Sequence, residues 1–165
     1  MSKKWIVPLS SFYLLCILLL SACASNLGDI TPQGGAIFSG NLTLDRAGNN
    51  AKAAGGQISF TTTADGTGIT ELSYSLTGDS CTAKGVTIQG VGSSVRKEPP
   101  VEVQNGGFVW DPGEIRVTGI FTAATQAEGS ITIEILHDVQ TSRNSPAAEQ
   151  ILCDYGTWAW TAEAQ

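Results

Sequence analysis

The sequence has few of the residues on which enzymes depend. Its 165 residues include one histidine, His137, and contain no Gly-x-Ser-x-Gly elbow, His-Glu-x-x-His pair or glycine-rich phosphate loop. Asp138 follows His137, but neighbouring strand residues point to opposite faces, so adjacency alone does not make a catalytic dyad. A carboxylate pair such as Glu71 with Glu134, acting as glycosidase acid and base, is the enzymatic alternative. We therefore predict that the protein is not an enzyme and that His137 is an exposed residue at a strand end.

Metal-binding patterns are equally scarce. The chain has no Cys-x-x-Cys pair and no Cys/His cluster. Seven aspartates are present, but none lies in a dense Asp-x-Asp-x-Asp-Gly loop, and Asp65-Gly66 and Asp111-Pro112-Gly113 are explained by turn geometry. We predict no cofactor and no dedicated metal site, and leave open a structural calcium ion.

Positive charge is also in short supply. The chain carries 9 Lys and Arg against 15 Asp and Glu, a formal net charge of -6. Non-specific nucleic-acid binding needs a basic surface, so we predict no nucleic-acid partner. Glycine is abundant, at 19 residues, and Thr, Ser, Val and Ile recur throughout, a composition typical of β-structure.

The first residues combine a basic start with a short apolar run. Lys3 and Lys4 precede an uninterrupted apolar stretch over residues 12–20. A membrane-spanning helix needs about 20 apolar residues, whereas a signal peptide has a basic start, roughly 7–15 apolar residues and an exit of small residues. The pattern therefore predicts a signal peptide over residues 1–22.

The exit of this segment, Leu20-Ser21-Ala22-Cys23, resembles the lipobox of bacterial lipoproteins. The resemblance implies that the Cys23 thiol takes a diacylglycerol and that cleavage before Cys23 leaves it as the lipidated amino terminus, which is usually acylated too. Several acyl chains hold a protein on a bilayer essentially permanently. The implied location is the bacterial cell membrane or cell surface, with the protein extracytoplasmic and bound to the bilayer through Cys23. A plain signal peptide with a chance cysteine, or an uncleaved anchor, is the alternative.

Two further cysteines follow Cys23. If Cys23 carries lipid, Cys81 and Cys153 form an even pair in an oxidising compartment, where a disulfide is the default expectation. We therefore predict a Cys81–Cys153 bond.

Turn signals and alternating apolar residues organise the remaining chain. Residues 23–35 lack periodicity and contain Pro and Gly, which predicts a flexible tether. Residues 36–165 contain short alternating runs separated by turns, such as the one at residues 64–68, and no helical periodicity of useful length. The pattern predicts an all-β domain: a single β-sandwich of seven to nine strands, immunoglobulin-like or jelly-roll-like.

The carboxyl-terminal motif Cys153-x-x-Gly156-x-x-x-Trp160-x-Ala162 adds a second resemblance. It is similar to the closing motif of secreted β-sandwich domains of bacterial extracytoplasmic proteins that have no assigned activity. The resemblance implies a fold and a cysteine bridge rather than a reaction.

The tryptophans are the remaining candidates for ligand contact. Trp158 and Trp160 alternate with threonines and alanine, which predicts that they face the core. Trp110 precedes a turn, so we expect it to be partly exposed and treat it as a candidate ligand platform. The sequence thus predicts a non-enzymatic surface or interaction module for an unknown protein or glycan. A carbohydrate-binding module of β-sandwich type is the alternative.

Overall fold

Every regular element in the described residues is a β-strand. The structure, a computed structural model, describes residues 30–90, 92–139 and 149–165, and for residues 92–99 it describes the backbone alone. The strands are β1 (Ile37–Arg46), β2 (Ala51–Lys52), β3 (Gly55–Thr62), β4 (Gly68–Thr77), β5 (Ser80–Ala83), β6 (Val86–Ile88), β7 (Gly92–Glu102), β8 (Gly107–Trp110), β9 (Ile115–Ala123), β10 (Gln126–Val139) and β11 (Glu149–Ala164).

Eight of these strands form one antiparallel sheet, in the order β7-β4-β3-β1-β11-β10-β9-β8. The first and last long strands, β1 and β11, are neighbours, and on either side the sheet follows chain order. The two edge strands, β7 and β8, are consecutive in the chain and are joined by a turn at Asn105 and Gly106, so the sheet curves round on itself. The predicted all-β, sandwich-like fold is confirmed, and the eight strands of the main sheet agree with the predicted seven to nine.

The main sheet has two ends that carry different connections. The amino-terminal end is the one at which residues 30–36 enter β1, and it carries the turns at residues 63–67, 103–106 and 124–125. The opposite end carries the small sheet β2-β5-β6 and is called the disulfide end.

The disulfide end takes its name from the bond between Cys81 of β5 and Cys153 of β11. Their Cα atoms are 5.8 Å apart and the bond closes a loop with a sequence separation of 72. The predicted pairing is therefore confirmed. In the chain-entropy model a loop of this length contributes about 4 kcal/mol to stability. The bond fixes the small sheet to the main one.

Aromatic side chains fill the inner face of the main sheet. Neighbouring ring centroids in this cluster lie 5.1 to 6.2 Å apart, with mostly edge or tilted contacts. The members are Phe38, Phe60, Phe108, Phe121 and Trp160. Such pairs contribute about 0.5–1.5 kcal/mol beyond their buried area.

Paired glycines make the room for these rings. Phe108, Gly119, Gly129 and Trp160 lie side by side across β8, β9, β10 and β11. A Cβ at Gly119 would lie 2.4 Å from the Phe108 ring, and one at Gly129 would lie 2.6 Å from the Trp160 ring. The two glycines therefore let two large rings occupy one level of the core.

Residues 30–35, which the sequence assigned to the flexible tether, are bound to the domain. The Gln33 N–H donates to the Ala124 carbonyl at 2.7 Å, and the Gly35 N–H donates to the Thr63 carbonyl at 2.8 Å. Ile30 is half-buried and packs against the core. Contacts with turns that are distant in sequence therefore connect residues 30–35 to the domain, although the sequence pattern places them in the tether.

Candidate functional site

The structure buries the residue that the sequence assigned to ligand contact. Trp110 has 0 % of its surface exposed, and its neighbour Val109 has 53 % exposed. Strand alternation explains the reversal, because Phe108 and Trp110 of β8 share the inner face while Val109 points outward. The expectation of a partly exposed Trp110 is therefore wrong, and Trp110 is a core residue.

The other two tryptophans lie in the core as predicted. Trp158 is 1 % exposed and Trp160 is 2 % exposed. The Trp158 indole N–H donates to the Tyr155 carbonyl at 3.0 Å. Every Phe, Tyr and Trp among the described residues is buried. A sugar ring therefore finds no exposed aromatic face to stack on in this part of the chain.

The candidate catalytic residues are not brought together. Glu71 lies on β4 and Glu134 on β10, and three strands separate these two in the main sheet. His137 is half-buried rather than exposed, and its Nε2 atom has no partner within the described residues. Asp138 is exposed on the opposite face of β10. The geometry assembles neither the carboxylate pair nor a histidine dyad.

A polar surface covers the outer face of β1, β11, β10 and β9 towards the amino-terminal end. We call it the hydroxyl face, and its side chains are Ser39, Asn41, Thr43, Thr122, Gln126, Glu128, Thr161 and Glu163. Two adjoining shallow depressions on it have volumes of about 470 Å³ and 610 Å³. Their floor includes the backbone of Gly40 and Gly129.

The centre of the hydroxyl face is a row of three cross-strand neighbours. Asn41 of β1 lies beside Thr161 of β11, which lies beside Glu128 of β10. Within the region that the structure describes, no side-chain hydrogen bond occupies Asn41, Gln126 or Glu128. Amide, hydroxyl and carboxylate groups can together donate to and accept from a polar ligand. The alternation of polar residues along β1 and β10 was the sequence signal for this face.

Two aspartates with distinctive surroundings have structural roles. The Thr63 hydroxyl donates to Asp65 Oδ1 at 2.6 Å, and the Thr67 hydroxyl and N–H donate to the same atom. These hydrogen bonds, from Thr63 first and then Thr67, hold the pKa of Asp65 down to about 2. They close the turn between β3 and β4 that the sequence predicted at residues 64–68.

Asp154 holds the segment between β1 and β2. Its Oδ2 accepts from the Asn49 side-chain amide at 2.6 Å and its Oδ1 accepts from the Gly156 N–H at 2.9 Å. The Asn50 side-chain amide bonds to the β11 backbone at two positions. It accepts from the Asp154 N–H and donates to the Leu152 carbonyl. The buried carboxylate is therefore satisfied by donors from the β1–β2 segment and from β11, so its role is structural.

Two buried tyrosines lie towards the disulfide end. Burial, with smaller contributions from Glu114 and Tyr155, raises the pKa of Tyr74 to about 12. Burial, followed by the charge of Asp79, also raises the pKa of Tyr155. Both phenols therefore stay protonated at neutral pH, which makes them poor general bases.

Neither a cluster of metal ligands nor a membrane-spanning helix is found among the described residues. In that part of the chain no three or more His, Cys, Asp and Glu side chains are grouped to hold a metal ion. Cys23 and the segment 1–22 lie outside the described residues.

Comparison of the chain with models of known protein families, with curated proteins and with solved structures gives no match.

Proposed function

We propose that this chain is a bacterial lipoprotein, anchored through Cys23, whose domain acts as a non-enzymatic extracytoplasmic interaction module. The observation that carries the proposal is the use of the cysteines. With Cys81 and Cys153 bonded to each other, Cys23 is left as the one other cysteine after the predicted signal peptide. A disulfide of this kind belongs to an oxidising compartment, which agrees with export. The lipobox sequence gives the remaining thiol a chemical use.

The domain's part of the proposal rests on the hydroxyl face. Its side chains offer hydrogen bonds over a shallow area, while the catalytic candidates of the sequence lie apart. A partner of unknown identity, protein or glycan, would bind there without chemistry. The alternative function, carbohydrate binding, is assigned to this face instead of Trp110. Sugar hydroxyls can form hydrogen bonds with Asn41 and Thr161 and can donate to the Glu128 carboxylate. Such a module would depend on hydrogen bonds rather than on aromatic stacking.

The anchor is tested by metabolic labelling with an alkyne fatty acid and by intact-mass measurement. The exported wild-type chain should begin at Cys23 and carry the mass of its acyl chains. Cys23→Ser should carry no label and remain an uncleaved or mislocalised precursor, because the hydroxyl is not the nucleophile that the transfer requires. Cys16→Ser, which also removes a thiol from the amino-terminal segment, is the matched control and should label normally. A mature chain that begins elsewhere than Cys23 would refute the proposal.

The binding role is tested on a glycan array run beside a panel of hydrolase substrates. Glycan binding that is lost in Asn41→Ala/Glu128→Ala, with the melting temperature unchanged, would select the carbohydrate-binding function. If the wild type hydrolyses any substrate and the hydroxyl-face variants do not, the protein is an enzyme and both binding functions are wrong. Thr132→Ala, farther along β10 on the same outer face, is the control substitution.

A further inference from the structure

The chain enters the domain at one end only, and that entry is fixed. The backbone of Ile30 lies directly against Gly106 in the turn between β7 and β8. The Gln33 carbonyl accepts a hydrogen bond from the Thr62 hydroxyl at 2.7 Å. The Gln33 N–H donates to the Ala124 carbonyl in the turn between β9 and β10. Pro32 is buried. Residues 30–35 therefore cross the amino-terminal end and contribute no slack to a tether.

The length of chain left before this entry is short. Seven Cα–Cα steps separate Cys23 from Ile30, and a fully extended chain spans at most about 3.6 Å per residue, or roughly 25 Å in all. Strand β10 runs from Gln126 at the amino-terminal end to Val139 at the disulfide end. At about 3.3 Å per residue it covers roughly 43 Å, and still about 33 Å if inclined by 40° to the axis of the domain.

We infer that the bilayer faces the amino-terminal end of the domain, with the disulfide end held away from it. The inference rests on the proposed attachment at Cys23. Acyl chains on Cys23 can reach a surface under the turns at residues 63–67, 103–106 and 124–125, but not one beyond the disulfide end. The orientation follows from where the chain is fixed and from the length that remains.

Electrostatic attraction to an anionic bilayer does not compete with this orientation. Acidic side chains towards the amino-terminal end are Asp65, Glu71, Glu102, Glu128 and Glu163. Arg46, Lys52, Lys84 and Arg116 lie towards the disulfide end, where acidic side chains outnumber them: Asp45, Asp79, Asp111, Glu114, Glu134, Asp138, Glu149 and Asp154. Lys84 is moreover paired with Glu149 at 2.7 Å. Among the side chains that the structure describes, neither end has a basic excess that would attract it to anionic headgroups, so the inferred orientation rests on the tether alone.

The test places one fluorophore at a time on β10 of the full exported chain. Gln126 and Asp138 are both exposed and both on the outer face of that strand, about 40 Å apart along it. Each is replaced by an amino acid with a bio-orthogonal handle, which leaves the cysteines untouched. The lipidated protein is reconstituted into vesicles of phosphatidylethanolamine and phosphatidylglycerol, roughly 3:1, that contain headgroup-nitroxide lipid as quencher.

We expect position 126 to be quenched at least about fivefold more than position 138, since contact quenching does not extend over a separation near 40 Å. Inserting twelve Gly and Ser residues between residues 27 and 28 should reduce that difference, because the domain can then turn over. Vesicle flotation separates the two ways to fail. If the protein does not float with the vesicles, the proposed lipid anchor is wrong, and the inferred orientation is wrong as well. A chain that floats with equal quenching at both positions, or more at position 138, overturns the orientation alone.

Discussion

The glycine that faces Trp160 gives the sharpest test of the core. A Cβ added at Gly129 would lie 1.9 Å from the Thr118 carbonyl oxygen and 2.6 Å from Trp160 Cζ2. Ordinary contacts begin at 3.4 Å, so β9 would have to move by about 1.5 Å, and the Trp160 indole would also have to shift. A shift of that size breaks ladder hydrogen bonds between β9 and β10, which are among the best-paired strands of the sheet.

We therefore expect Gly129→Ala to destabilise the domain by about 3 kcal/mol, at the upper end of the usual cost of overpacking. For a domain of this size the melting temperature should fall by roughly 10 °C. Urea unfolding followed by tryptophan fluorescence and by far-ultraviolet circular dichroism gives both numbers. The midpoint should move while the slope stays constant.

Gly55→Ala is the matched control, because it adds the same methyl group to a half-buried strand position. A Cβ there meets nothing within 4 Å, and Gly55 has no positive φ. Its stability should change by less than about 1 kcal/mol and towards stabilisation, since alanine restricts the unfolded chain. If Gly129→Ala and Gly55→Ala unfold at the same denaturant concentration, the close packing of Gly129 against Trp160 and β9 is wrong.

Three further expectations concern the core, the disulfide and a turn. Trp110→Ala should lower the unfolding free energy by roughly 3–5 kcal/mol in a denaturation series. A loss below about 1 kcal/mol would show that Trp110 is not a core residue. The double variant Cys81→Ser/Cys153→Ser should lose about 4 kcal/mol of unfolding free energy. Alkylation of the native chain without reductant should leave both cysteines unlabelled. Because the folded-state pKa of Asp65 is depressed to about 2, its contribution to stability is present above about pH 4 and is lost as the pH falls towards 2. Unfolding free energies of wild type and Asp65→Asn measured over that range should therefore converge with falling pH, and a constant difference would contradict the hydrogen bonds drawn for the turn.

Where the structure differs from the sequence prediction, the physical cause is specific. The turn after Trp110 predicts a position near the surface, although Phe108 two residues earlier indicates that both side chains share the inner face. The segment 30–35 has no periodicity, and nothing local indicates that Gln33 would bond to Ala124. Two-residue alternation also fails within β11, where a bulge near Gly156 (φ +82) brings both Tyr155 and Trp158 to the inside.

The sequence by itself determined the strand content, the turn at residues 64–68, the pairing of Cys81 with Cys153 and the inward placement of Trp158 and Trp160. These depend on local alternation, on turn chemistry and on counting cysteines, which need no knowledge of distant neighbours. Only the tertiary structure decided which strands lie side by side, and so which outward residues form the hydroxyl face. It also decided where the chain enters the domain, because the bonds that fix residues 30–35 join positions far apart in sequence. Cross-strand neighbours and chain entry are set by the closing of the sheet around its aromatic core, and no local pattern encodes that closure.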